Sequence, residues 1–465
     1  MMCQNVQIIV SYDDKNRKNH ERDKLITLGA MIKETQKRCE GVMDTVESLP
    51  HLSLSCKHTL NRLVQSELAF LSRFSSTDFT TKSEPSICVN IGHLEAVVHV
   101  LQQPNISGVS RVCKTVGLHN STSKGAHVDI VCTFEGNPVW FIVSDRNPKY
   151  ISWYGQQESS RDKGLQARVQ LLLEVAHQSV ALKPFSIIFF FSNGLDRFTV
   201  ERFHTEFGAI DLNSKFSSFD FNFAKELGGE WTNILARSYH QASVLEIKVN
   251  SPQDVSKNLL VANPFVKPSN TNLGGSFGAL ISQMILPDNG KIDGEIVNMD
   301  TTALVAIVSG ISNGNTQKLL DTPDDELKTR FKGNTEFVIS QVLSEIENPI
   351  HMDISKIICG RKCIICEYVC SEFKELVSMC GGVNEKLRAE QLLKAVMVVP
   401  DCPSGRMMTL PTTRKLGLKN KIVFGTGDHW HAPTLTANMG FVRAVLQTGM
   451  SLFSFEHRPR ALTGD

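Results

Sequence analysis

The C-terminal half of the chain repeats one pattern, in which a short apolar run alternates with a longer segment of helical periodicity. The apolar runs are Glu295–Met299, Cys363–Cys366, Ala395–Val399 and Met450–Phe455. Short runs with few polar residues are typical of strands that are buried on both faces. The order strand, helix, strand, helix therefore predicts an α/β fold with a mostly parallel sheet and helices on both of its faces.

The N-terminal half is organised differently. Apolar residues recur every three or four positions through Leu25–Val46 and again through Leu60–Leu71, which predicts amphipathic helices. Farther along, the apolar runs Val128–Thr133 and Phe185–Phe191 lie on either side of a helical segment, as in an α/β unit. We predict a helical plus α/β domain of unknown function over residues 1–250.

A stretch rich in Asn, Ser, Gly and Pro separates the two halves. It covers about residues 251–290 and has the composition of a linker. The second domain is then expected over 291–465. A chain of 465 residues is long enough for two or three domains.

Charge and hydropathy limit the partners and the compartment. The 49 Lys and Arg balance 48 Asp and Glu, so any binding of a polyanion must come from a local excess of positive charge. The apolar run Pro184–Phe191 is too short to cross a membrane, and the N-terminus lacks the pattern of a secretory signal. We expect no membrane partner, reduced cysteines and a cytoplasmic or nuclear location.

Acidic residues follow several of the predicted strands. Asp300 follows the first strand, Glu372 lies in the helix after the second, and Glu456 follows the last. Asp428 lies in the run Phe424–Asp428, which predicts a glycine-flexed turn. Ligands of such sheets bind at the carboxyl ends of the strands, and carboxylates gathered there favour Mg²⁺ or Mn²⁺. Ions of this kind promote hydrolysis of phosphodiesters.

The same residues carry a resemblance to the PIN domain, a metal-dependent ribonuclease fold. It rests on Asp300–Leu304 after an apolar strand, on Glu372, and on Gly449–Glu456 at the end of the chain. The whole chain is similar to an uncharacterised eukaryotic family in which a PIN-like domain follows an N-terminal domain of unknown function. The resemblance implies hydrolysis of RNA with Mg²⁺ or Mn²⁺ as cofactor.

Carried over to this sequence, the PIN pattern assigns Asp300, Glu372 and Glu456 to the first, second and fourth acidic positions. Two residues compete for the third, because Asn438 has the usual spacing and Asp428 has the carboxylate. Asp428 beside Asp300 and Glu372 would support an enzyme. Asn438 alone would favour a catalytically degenerate scaffold or protein-interaction protein, because an amide removes one negative charge from the site.

Basic residues are locally in excess near this predicted site. From Pro403 to Asp465 the sequence has eight Lys and Arg against three Asp and Glu. Contacts with phosphates need such an excess, so we expect single-stranded RNA as the partner. The predicted nucleic-acid contacts are Arg414, Lys415, Lys419 and Lys421.

Overall fold

A computed structural model shows two α/β regions, which confirms the predicted fold class. The residues that it describes are 32–76, 90–117, 125–155, 164–216, 224–227, 230–233, 239–249, 275–285 and 296–465. No helix in this described part of the chain has the length and apolar character that crossing a membrane requires.

The N-terminal region is built on a six-stranded mixed sheet in the order β1-β2-β3-β4-β8-β5. Its strands are β1 (Ile106–Val116), β2 (Ala126–Phe134), β3 (Asn137–Ser144), β4 (Ser186–Phe191), β5 (Ile210–Asp211) and β8 (Ser243–Lys248). The short strands β6 (Ala224–Leu227) and β7 (Glu230–Asn233) pair only with each other. The helices are α1 (32–48), α2 (Leu54–Ser76), α3 (Ile91–Leu101), α4 (Gly164–Gln178) and α5 (Arg197–Phe207).

Helices cover both faces of this sheet, so its central strands are apolar on both sides. Along β4, Phe190 packs with helices α1–α3 on one face, whereas Phe189 and Phe191 pack with α4 and α5 on the other. All three rings are buried because neighbouring side chains of a strand point to opposite faces. The continuous apolar run predicted from the sequence is therefore a doubly buried strand.

The C-terminal region contains a five-stranded parallel sheet in the order β11-β10-β9-β12-β13. Its strands are β9 (Ile296–Met299), β10 (Lys362–Cys366), β11 (Met397–Val399), β12 (Thr434–Thr436) and β13 (Ser454–Glu456). The surrounding helices are α7 (Thr301–Val308), α8 (Thr316–Leu320), α9 (Asp324–Phe331), α10 (Thr335–Glu347), α11 (Ile350–Ile358), α12 (Glu367–Cys380), α13 (Val383–Ala395), α14 (Gly405–Met408), α15 (Leu418–His429) and α16 (Met439–Thr448). Because β9 lies in the middle of the sheet, its carboxyl end is flanked by strands on both sides.

One helix lies inside the stretch predicted as a linker. Helix α6 (Ser276–Met284) buries Phe277, Leu280 and Met284 in the same core as strand β9 and helix α7. The rest of the 251–290 stretch, apart from Gly275 and Ile285, lies outside the described residues. The position of the domain boundary stays a prediction.

The two regions touch along strand β1. Ser110 Oγ donates a hydrogen bond to the Gly449 carbonyl oxygen at 2.7 Å, and Arg111 Nη2 donates to the Thr448 carbonyl oxygen at 3.0 Å. Gly449 has φ +95°, and a Cβ there would overlap the Arg111 guanidinium. The end of helix α16 thus depends on glycine both for its conformation and for this close approach.

Candidate functional site

Asp300 lies where strand β9 ends and helix α7 begins. As the N-cap of that helix, its Oδ1 accepts a hydrogen bond from the Ala303 backbone N–H at 2.9 Å. Thr302 Oγ1 donates to the same oxygen at 2.6 Å, and Thr436 Oγ1, at the end of β12, donates to Oδ2 at 2.5 Å. Three donors therefore fix the carboxyl group, which is only 5 % exposed.

Glu372 and Asn438 meet Asp300 at this edge of the sheet. Thr301 Oγ1 donates to Glu372 Oε2 at 2.5 Å, which joins the first residue of α7 to the middle of α12. Asn438 is the N-cap of α16 and accepts a hydrogen bond from the Phe441 backbone N–H at 3.2 Å. Asp300, Glu372 and Asn438 line one cavity of about 360 Å³. Of the two candidates for the third acidic position, the structure thus brings Asn438 to the site.

Asp428 lies at the other end of the sheet, so its prediction as a metal ligand of this site is wrong. Helix α15 begins beside the cavity, but Asp428 is near its end, just before the chain enters β12. Arg406 donates to both carboxylate oxygens at 2.7 and 2.8 Å, and Ser404 Oγ donates at 2.5 Å. The Asp428 charge is already neutralised by a buried guanidinium, each side chain of the pair being 9 % exposed.

The predicted turn around Asp428 is also wrong, because the segment Phe424–Asp428 is helical. Its glycines serve close packing instead. A Cβ on Gly427 would lie 2.6 Å from Thr434 Oγ1, and one on Gly425 would lie 2.8 Å from the Pro403 side chain. Helix α15 can approach β12 only where these side chains are missing, and the continuous helix carries Asp428 away from the cavity.

Glu456 ends strand β13 and lies at the same edge of the sheet as Asp300. Its register partner is Thr436, the residue that donates to the Asp300 carboxylate. The side chain is exposed and does not line the cavity. Of the carboxylates predicted for the metal site, the cavity therefore contains two, Asp300 and Glu372.

A cation and an aromatic ring face the two carboxylates across the cavity. Lys419 and Tyr368 both line it, and Lys419 Nζ lies 5.7 Å from the centre of the Tyr368 ring. A hydrogen bond to Tyr368, together with the charges of Tyr368 and Glu372, raises the pKa of the exposed Lys419 ammonium. Lys419 thus remains positively charged at the mouth of the cavity.

The other predicted basic contacts differ in their positions. Arg414 and Lys415 are exposed in the loop before α15, as a nucleic-acid surface requires. Lys421 is buried, and its Nζ donates to the carbonyl oxygens of Met408 and Leu410 at 3.2 and 2.7 Å. The prediction that Lys421 contacts RNA is wrong, because its ammonium holds the loop that precedes α15.

Burial controls the protonation of the Asp300 carboxyl group. Burial raises its pKa above the usual range, although hydrogen bonds from Thr302 and Thr436 and the nearby His457 oppose the rise. Burial likewise lowers the pKa of His457, against the effects of the Arg458 carbonyl and of Asp300. Nothing in the sequence marked His457 as part of the site except its position directly after the last strand.

The hydrogen bonds of Thr302 couple the protons of Asp300 and His457. His457 Nδ1 lies 2.9 Å from the Arg458 carbonyl, which can only accept, so Nδ1 carries a hydrogen. Thr302 Oγ1 lies 3.2 Å from His457 Nε2 and accepts from the Ala437 backbone N–H. Thr302 has one hydroxyl hydrogen, so it can donate to Asp300 or to His457 but not to both. Two protonation states of the three side chains therefore give each of them a hydrogen bond.

In the first state Asp300 is protonated and donates to Thr302, which donates to neutral His457. In the second, protonated His457 donates to Thr302, which donates to ionised Asp300. The two states differ by a proton passed along this chain of three side chains. Burial of both groups favours the first state, in which Asp300 and His457 are neutral.

The cavity carboxylates lack the arginine partner that three other acids have, and in this they resemble buried Glu385, which is held by backbone N–H groups and the Thr463 hydroxyl. Glu95 pairs with Arg38, Glu345 with Arg460, and Asp428 with Arg406. Among the described residues, Asp300 and Glu372 are held by hydroxyl and backbone donors and have no Lys or Arg in an ion pair. Gathered carboxylates without a paired side-chain cation are suited to bind a metal ion.

Comparison with known proteins finds that the region of this site is similar to a family of unknown function. No solved structure matches the chain. The region from residue 297 to residue 465 matches the family model described as "Protein of unknown function (DUF1308)". That region contains all the cavity residues described above, so the site lies in the part of the chain that is similar to this uncharacterised family.

Proposed function

We propose that the C-terminal domain is PIN-like and that Asp300 and Glu372 together bind one Mg²⁺ or Mn²⁺ for hydrolysis of phosphodiester bonds in single-stranded RNA. The observation that carries the proposal is that both carboxylates line one cavity at the carboxyl edge of a parallel sheet, where no Lys or Arg of the described residues forms an ion pair with them. This is the edge at which α/β sheets bind their ligands.

The donor set fits a hard cation. Thr301 donates to Oε2 of Glu372, which leaves Oε1 for a metal, and within the described part of the chain Oδ2 of Asp300 accepts one hydrogen bond, from Thr436. Mg²⁺ commonly uses one or two carboxylates and completes its shell with water and phosphate oxygens. The Asn438 amide adds a neutral oxygen at the rim, so the site carries two negative charges where three are expected of the PIN pattern.

Each nearby side chain has a distinct contribution in this proposal. A bound cation supplies activation of water and neutralises charge on the phosphodiester. Thr302 and Thr436 orient the Asp300 carboxylate, and His457 lies one hydrogen bond beyond Thr302. Lys419 attracts a phosphate, and Tyr368 offers a ring on which a base can stack.

A second candidate function is a catalytically degenerate PIN-like scaffold or protein-interaction protein. Asn438 favours it, because the third position at the cavity carries an amide and the competing carboxylate of Asp428 is paired with Arg406 elsewhere. The two candidates differ in one testable property. The enzyme needs a cation at Asp300 and Glu372, whereas the scaffold does not.

The test is cleavage of a mixed pool of labelled single-stranded RNAs by the full chain, with and without Mn²⁺. We expect cleavage that needs Mn²⁺ and is lost in Asp300→Asn and in Glu372→Gln. Glu375→Gln is the matched control, because Glu375 is an exposed residue of the same helix and lies outside the cavity.

Asn438→Asp distinguishes the two candidates further. It keeps a good helix N-cap and restores a negative charge at the cavity. If the domain is an enzyme, Mn²⁺-dependent cleavage should be faster in this variant. Absence of cleavage in both the natural chain and Asn438→Asp would support the scaffold.

A further inference from the structure

A second group of metal-binding side chains lies in the N-terminal region, far from the cavity in sequence. His93 is in helix α3, Cys113 in strand β1, and Asp129 in strand β2. His93 Nε2 lies 2.9 Å from Asp129 Oδ1, and one ligand atom from each of the three residues falls within 4.8 Å of the others. His127 Nε2 approaches the same Asp129 oxygen at 3.3 Å.

The pairing of β1 and β2 explains why these residues meet. Val112 is opposite Ile130 and Lys114 is opposite Val128, so Cys113 faces Asp129 across the two antiparallel strands. His127 precedes Asp129 by two positions, and its side chain reaches the same carboxylate. The first turn of helix α3 adds His93 from above the sheet.

The backbone of Cys113 is in a conformation that L-residues rarely adopt. Its φ is +47°, in the left-handed region where glycine is favoured. Non-glycine residues held in this region are concentrated at ligand sites, where the surrounding structure imposes them. Here the unusual conformation occurs at the residue that brings a sulfur atom near His93 and Asp129.

The carboxylate is also oriented as a metal ligand should be. Asp129 is buried, and its Oδ2 accepts a hydrogen bond from the Val143 backbone N–H at 2.8 Å, which leaves Oδ1 for the histidines. Ligating carboxylates are commonly fixed by such a bond. The His93 and His127 side chains are 30 % and 50 % exposed, so a cation can reach the group from solvent.

We propose that His93, Cys113, Asp129 and His127 form a zinc site that joins α3, β1 and β2. Imidazole and thiolate ligands together select Zn²⁺ over Mg²⁺ or Ca²⁺. Ligand bonds of about 2.0 to 2.3 Å in a tetrahedron place ligand atoms roughly 3.3 to 3.8 Å apart. The His127-to-carboxylate distance of 3.3 Å matches that spacing, and the His93-to-carboxylate distance of 2.9 Å is shorter. The sulfur lies within 4.8 Å of a His93 nitrogen and an Asp129 oxygen.

The test is a Co²⁺ titration of the reduced, chelator-treated full chain, because Co²⁺ replaces Zn²⁺ and absorbs strongly when a thiolate binds it. We expect one equivalent with a thiolate-to-cobalt band that added Zn²⁺ removes. Cys113→Ser should abolish this band, and His93→Gln should weaken Co²⁺ binding at least tenfold. The matched controls are Cys370→Ser, a partly buried cysteine elsewhere, and His177→Gln, an exposed histidine.

The variant Cys113→Gly distinguishes loss of metal binding from failure of the protein to fold. Glycine adopts φ +47° without strain, so this variant should fold while failing to bind the metal. Zn²⁺ should raise the melting temperature of the natural chain and of Asp300→Asn, but not of Cys113→Gly. Absence of the band in the natural chain, or its persistence in Cys113→Ser, would show that the histidines only hydrogen-bond Asp129 and would overturn the proposal.

Discussion

Thr436 Oγ1 donates a hydrogen bond to Asp300 Oδ2 at 2.5 Å and thereby joins the carboxyl ends of strands β12 and β9. Thr436 also accepts from the Asn438 backbone N–H at 2.8 Å, so its single hydroxyl hydrogen is committed to the carboxylate. The first acid of the cavity and the start of helix α16 are therefore held by one side chain.

Thr436→Val should remove this orientation while keeping the side-chain volume. Leaving a buried polar group without its partner costs about 1 to 3 kcal/mol, so we expect a loss of roughly that size in the free energy of unfolding. Mn²⁺ affinity should fall as well. Urea unfolding measures the first effect, and Thr205→Val on the exposed surface of α5 is the matched control, with a change below about 0.5 kcal/mol. Equal losses in both variants would contradict this role.

The main elements of this site could be predicted from the sequence because they depend on local pattern. A buried apolar run followed by Asp300 indicates both a strand and a residue at its carboxyl end. The next apolar run and the helical segment after it predict the position of Glu372 in the same way. The contact of Thr436 with Asp300 could not be predicted in the same way, because it depends on β12 lying beside β9.

Other predictions failed where packing outweighs local preference. Gly425 and Gly427 suggested a turn, but in the structure their missing side chains let α15 pack against β12 and Pro403. Lys421 suggested a solvated charge, but its ammonium is enclosed by backbone carbonyls. Lysine is seldom buried, so only the tertiary structure reveals this exception.

Asp428→Asn should destabilise the protein without affecting the cavity. Removing one partner of a buried ion pair costs about 3 to 5 kcal/mol, because Arg406 would be left unpaired. Mn²⁺-dependent stabilisation should be unchanged, since Asp428 lies at the other end of the sheet. Thermal unfolding with and without Mn²⁺ measures both quantities, and loss of the Mn²⁺ effect would place Asp428 back among the ligands.

The same pair predicts a pH dependence. Burial alone would raise the pKa of Asp428, but Arg406 and Ser404 lower it below its usual value. A lowered folded-state pKa stabilises the protein above the unfolded value of 3.8, and the contribution is lost as the pH falls through the folded value. The stability difference between the natural chain and Asp428→Asn should thus be constant near neutral pH and shrink below 3.8. A difference that grows in acid would contradict the assignment.

The stability contribution of Asp300 should change with pH in the opposite direction to that of Asp428. Its folded-state pKa is raised by burial, so the metal-free protein loses stability as the pH rises through that pKa. Asp300→Asn cannot ionise and should be as stable as the natural chain, or more so, at neutral pH without divalent ions. Melting temperatures in chelator from mildly acidic to neutral pH provide the measurement. A large loss of stability in the variant at neutral pH would mean that the ionised carboxylate is needed for folding.

The exposed basic residues should govern binding of RNA. Replacing Arg414, Lys415 and Lys419 with Gln should weaken binding of single-stranded RNA and lower the log-log salt slope by about 0.7 for each phosphate that the protein no longer neutralises. Lys421→Gln should instead reduce stability, because it removes a buried ammonium from the carbonyls of Met408 and Leu410. Affinity measured over a range of salt concentrations separates the two effects. An unchanged slope in the triple variant would remove these residues from the RNA surface.

The most direct test of the central claim is calorimetric titration of Mn²⁺ into the full chain and into its Asp300→Asn, Glu372→Gln and Asp428→Asn variants. The chain is first saturated with Zn²⁺ to fill the proposed N-terminal site, and the excess is removed. We predict one Mn²⁺ site in the natural chain, loss of that site in Asp300→Asn and Glu372→Gln, and its retention in Asp428→Asn. Binding of equal strength in all four proteins, or none in the natural chain, would contradict a divalent-cation site formed by Asp300 and Glu372.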